Sequence, residues 1–205
     1  MKLSELSLVL GLGTAAAHAW ALFRGPATAQ WLRKFPRNVP LGVVLMLLGT
    51  VWFEWNLAAE NLEDIARYKK LLQVFFAVLG VACCFFAQDF LAVRGLSVVL
   101  LMAAFVMCDT ARWHPSLWRD AITGWAYVWV LAALWLSVQP WRLRDWIGWL
   151  TADTGRFKLA AVAGIVWGLF IAALGLSLRM LLGEHGTDRG HGSPVEHDPR
   201  FERKQ

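Results

Sequence analysis

Six apolar windows, each close to the length a helix needs to cross a bilayer, follow one another along the chain with short charged breaks between them. They cover residues 6–23, 40–59, 71–87, 91–108, 121–138 and 159–182. The fourth has its core at Leu96–Cys108 and reaches spanning length by taking in Leu91–Val93, while Arg94 is counted with the turn before it. Hydrocarbon offers backbone amides no partner, so each window must satisfy its own hydrogen bonds as a helix. The predicted fold is therefore all-α: a polytopic bundle of six transmembrane helices with short amphipathic interfacial segments in the loops. Composition points the same way, since 58% of the 205 residues are hydrophobic and only 17% charged, outside the range of an ordinary soluble domain.

Residues 1–183 form the expected transmembrane domain, and residues 184–205 a polar, glycine-bearing tail expected to be disordered. The tail's His185, His191 and His197 keep no metal-ligand spacing. The N-terminal stretch imitates a secretory leader as far as Ala17 and Ala19. Glu5, however, spoils the basic start, and the apolar run continues to Phe23, so an uncleaved first helix is expected. Cys83 and Cys84 lie toward the opposite side from Cys108, which makes a disulfide between the two groups unworkable.

Six spans place both termini on one side. Lysine and arginine near the spans number nine in the odd loops (after windows one, three and five) and seven elsewhere, counting Lys2 and Arg179. The first loop contains no acid at all. This bias places the odd loops in the cytoplasm of a cell (inner) membrane and the termini on the non-cytoplasmic side. Two odd-loop segments, around Trp31 and around Trp141, Trp146 and Trp149, each begin at a proline (Pro26, Pro140) and mix indoles with bases. That mixture suits the headgroup zone. The shared pattern also hints that the first and third hairpins are copies of each other.

Ionisable groups inside spans are costly and call for a reason. Glu54 stands about 21 Å along the second window, flanked by Phe53 and Trp55. One reading makes it an anchor reaching toward the interface; the other pairs it with Asp109 at the end of the fourth window. In that case the two carboxylates line an outward-facing vestibule with Arg112 as counter-ion and His114 and Asp120 nearby. His18 sits near the cytoplasmic end of the first window, either as a hydrogen-bonded packing residue or as part of a proton relay, and a single histidine cannot supply two axial haem ligands.

In the sixth window Ala160, Gly164, Gly168 and Ala172 recur every four residues, a flat stripe for close packing inside the bundle or against a second copy. Trp129 and Trp167 fall mid-span, where an indole N–H wants an acceptor. The acids, histidine and cysteines do not converge at one depth, as a catalytic set would. A non-enzymatic scaffold or accessory subunit is expected, with a small transporter or channel built on Glu54 and Asp109 as the alternative. Expected partners are the lipid bilayer and another membrane protein or a homo-oligomer. Neither nucleic acid, cofactor nor metal is expected.

Overall fold

A computed structural model describes the backbone over residues 3–60, 67–112 and 119–188, with side chains as far as Ser177. Eight α-helices and one 3-10 turn make up the regular structure, with no strand among the described residues: α1 (Leu3–Arg24), α2 (Pro26–Lys34), the turn Phe35–Arg37, α3 (Val39–Ala59), α4 (Lys69–Phe86), α5 (Leu91–Arg112), α6 (Arg119–Val138), α7 (Trp141–Ala152) and α8 (Thr154–Asp188). Six of them, α1, α3, α4, α5, α6 and α8, are long and apolar enough to cross a membrane. The other two are the amphipathic loop segments α2 and α7, so the predicted bundle of six spans with interfacial helices is the fold observed. His114, Trp113, Trp118 and the tail from residue 189 onward lie outside the described residues.

Arg94 is not in a turn. Its amide donates to the Phe90 carbonyl at 3.1 Å, which puts it in the first turn of α5. The sharp reversal is made instead by Phe90, at φ 56°, and the helix begins at Leu91, the start of the fourth window. Other helix ends follow local chemistry. Asn38 Oδ1 accepts from the Leu41 amide at 3.1 Å to cap α3, and the Asp153 carboxylate accepts from the amides of Gly155 (3.2 Å) and Arg156 (3.3 Å) to start α8. At the far end of α3, Lys69 Nζ donates to the carbonyls of Ala58 (2.7 Å) and Glu60 (2.8 Å).

Small residues set the helix pairing. Along α1 and α8 the close contacts run in opposite directions, Ser7 against Gly175, Gly11 against Ala172 and Gly168, Ala15 against Gly168, and His18 against Gly164. Gly164, Gly168 and Ala172 of the stripe read on the sixth window thus lie on α1. Along α3 and α5 the contacts rise together, Gly42 against Leu91 and Ala92, Met46 against Gly95, and Gly49 against Val98, so these two helices are parallel. Helix α4 packs on α3 alone among its larger interfaces, with Thr50 seated on Gly80. Two cores result: Met46, Cys84 and Leu91 join α3, α4 and α5, while Leu6, Ala104, Met107, Ile122 and Ala126 join α1, α5 and α6.

Candidate functional site

At the odd-loop end of the bundle, α2 and α7 are tied together. Arg33 Nε donates to Thr151 Oγ1 at 2.7 Å and its Nη2 to the Thr151 carbonyl at 2.5 Å. Thr151 Oγ1 in turn donates to the Ile147 carbonyl at 2.7 Å, which fixes the acceptor's orientation. Phe35 and Pro36 are buried beneath the same junction, where the turn meets α5 and α7. Trp149 carries the Arg156 guanidinium over its ring at 5.0 Å, and Arg144 pairs with Asp145 at 2.8 Å.

Between this junction and the spans lies a cavity of about 700 Å³, walled by the end of α1, by α2, by Leu150 of α7 and by the start of α8. His18, Arg24 and Thr28 are its polar lining groups; Trp20, Trp31 and Phe157 supply aromatic wall. His18 Nδ1 bonds the Thr14 carbonyl at 2.8 Å, one turn back on its own helix. A carbonyl only accepts, so Nδ1 donates that bond, and Nε2 is left as the ring's other polar atom, with no hydrogen bond among the described residues. The imidazole lies on Gly164, where a side chain would collide with the ring. Arg24 stacks over Trp20 at 4.9 Å and makes no ion pair among the described residues.

Of the residues that the sequence singles out, His18, Ala160 and Trp31 line this cavity, and His18 alone among them is a candidate for ligand or proton chemistry. Glu54 lies elsewhere. Its Oε1 is buried and without a hydrogen-bond partner among the described residues, as is Nε of Arg94. Five residues beyond Gly49 at 100° each, Glu54 is turned about 140° from that contact with α5. It shares instead the face of Thr50, which meets α4, and its neighbour Phe53 touches Phe76 of α4 at 4.9 Å. Asp109 and Arg112 are exposed at the end of α5, and neither is joined to Glu54 by a hydrogen bond or ion pair among the described residues. Parallel packing of α3 and α5 is seen where both helices begin, at the opposite end from these acids.

The mid-span indoles meet through a third ring: Trp125 lies 6.3 Å from Trp129 and 4.9 Å from Trp167. Neither Trp129 nor Trp167 makes an indole hydrogen bond among the described residues, so ring contact and not the anticipated N–H bond organises them. All three cysteines are free, Cys84 donating weakly to the Gly80 carbonyl at 3.5 Å.

The cavity as a whole was not visible in the sequence. It is built by two pairs of consecutive helices from distant parts of the chain, α1 with α2 and α7 with α8, and its commonest lining residue is alanine, which carries no chemical signal. The usable hint was the joint occurrence of His18 and Arg24 next to an amphipathic segment. Fold and site together define a multi-pass helical membrane protein with a side cavity at one end of its spans. No family model, curated protein or solved structure matches the chain.

Proposed function

We propose that this is a non-enzymatic protein of the cell (inner) membrane, acting as a scaffold or accessory subunit, with α2 and α7 on the cytoplasmic side and the termini opposite. The observation that supports it best is the clamp from Arg33 to Thr151. It joins two amphipathic helices, 118 residues apart in sequence at the bonded pair, into one fixed platform beside the headgroups. Trp31, Trp146 and Trp149 are exposed on these helices, and large aromatic groups held rigidly are what a membrane partner would grip. The excess of bases around the platform supports the orientation.

Extraction in mild detergent after cross-linking in the native membrane tests this reading. A companion should co-purify at fixed stoichiometry and be lost from a Trp146→Ala, Trp149→Ala double variant. Recovery of the chain alone, with no companion before or after cross-linking, counts against the subunit role.

A second reading, a small transporter or channel, draws on the buried and unpartnered carboxylate oxygen of Glu54. Its version with Asp109 requires the outer ends of α3 and α5 to come together. Solute or proton flux in reconstituted vesicles that disappears in Glu54→Gln supports it; no flux for protons, ions or small metabolites sinks it.

A further inference from the structure

The chemistry of the cavity beside His18 selects one kind of occupant. Along most of their length α1 and α8 use small residues to bring backbones together, as at Gly11, Ala15 and Gly168. Around and past His18 small residues continue, and Ala17, Ala21, Ala160 and Ala161 line the cavity. Here α2 and Trp31 enter as the outer wall. The result is a smooth apolar trough, and its volume of about 700 Å³ falls within the range of sites that hold drug-sized molecules.

The polar groups are few, and among them only Arg24 carries a fixed charge, a positive one. Arg24 is held by its stacking on Trp20. His18 either donates from Nε2 as an imidazolium or accepts there from a protonated acid, and Thr28 adds a hydroxyl. No carboxylate lines the cavity among the described residues. A cation or a wholly apolar molecule would leave Arg24 unanswered, whereas a free inorganic anion would leave the alanine wall unused.

We infer that this cavity binds a single-chain amphipathic anion, its alkyl or prenyl tail along the alanine wall and its phosphate or carboxylate head at Arg24 and His18. The site lies where α2 and α7 meet the spans, so the ligand enters from the headgroup zone with its tail already parallel to the helices.

The full chain in nanodiscs of zwitterionic lipid, titrated calorimetrically against empty discs, provides the test. Dodecyl phosphate is expected to bind at least tenfold more tightly than dodecanol, consistent with a charge-assisted bond to the head. Arg24→Gln should erase that difference while leaving dodecanol unchanged, and Ala21→Leu, which fills the trough, should weaken both. Inorganic phosphate should compete weakly or not at all. The inference is overturned if dodecyl phosphate and dodecanol bind alike, if Arg24→Gln leaves the preference intact, or if inorganic phosphate matches dodecyl phosphate. Arg24 is exposed, so its replacement decides the matter even if Ala21→Leu does not fold.

Discussion

Two glycines in α1, two residues apart, show how much position outweighs residue type in this bundle. A Cβ at Gly11 would meet the backbone of Gly168 and Ala172 on α8, whereas one at Gly13 would meet nothing within 4 Å. Gly11→Ala therefore forces the two helix backbones apart and should destabilise the protein by about 1–3 kcal/mol, the usual cost of overpacking. Gly13→Ala should be neutral or gain up to about 1 kcal/mol, because alanine is the better helix former. Thermal unfolding in a single detergent, followed by circular dichroism, checks the pair. Equal midpoints for the two variants would remove the argument that α1 closes on α8 through backbone contact. The same logic separates Gly168 from Gly124 and Gly148, which also face open space.

At the scale of elements, the six spans could be read from sequence because the solvent dictates them: hydrocarbon thickness sets length, and unsatisfied amides compel helix. The stripe Ala160, Gly164, Gly168, Ala172 could likewise be read as a close-packing surface, but not its partner, since small residues specify a distance and not an identity. That α1 covers it follows from the three-dimensional path of the chain. Arg94 belongs to the helix and not to the turn because one charge interrupts an apolar pattern without interrupting a helix; its amide continues the first turn of α5 all the same. The clamp between α2 and α7 was equally invisible, because each helix by itself looks like any amphipathic loop segment. Arg33→Ala and Thr151→Ala should each loosen α7, and a double-mutant cycle should show coupling of about 1 kcal/mol, typical for a hydrogen bond with one charged partner that is partly exposed to solvent. Hydrogen exchange over Trp141–Ala152 is the sensitive readout, rising more in Arg33→Ala than in Thr151→Ala, which keeps its carbonyl acceptor, and no further in the double variant than in Arg33→Ala.

For the whole molecule, the pairing of first span with last sets the order in which the bundle can be completed. Helix α1 meets the rest mainly through α8, with Leu6 also buried in the core shared by α5 and α6. The face of α1 that carries Gly11 and Ala15 thus waits for the C-terminal span before it is covered, while α3 and α5 pair over a shorter stretch of chain. Such a closure requires an even number of crossings between α1 and α8, because the two helices run antiparallel, and the four spans between them satisfy it. Labelling by a membrane-impermeant thiol reagent tests the count, with Cys83, Cys84 and Cys108 first replaced by alanine. Lys34→Cys and Arg142→Cys should react from one face of the membrane, and Arg67→Cys and Arg119→Cys from the other. If Lys34→Cys and Arg67→Cys react from the same face, α3 does not cross and the parallel arrangement of α3 and α5 fails with it. If instead all four obey the alternation, the face that labels Lys34→Cys in intact cells or only in inverted vesicles fixes which side holds the α2 and α7 platform. Labelling of Lys34→Cys only in inverted vesicles is the result expected from the excess of bases there.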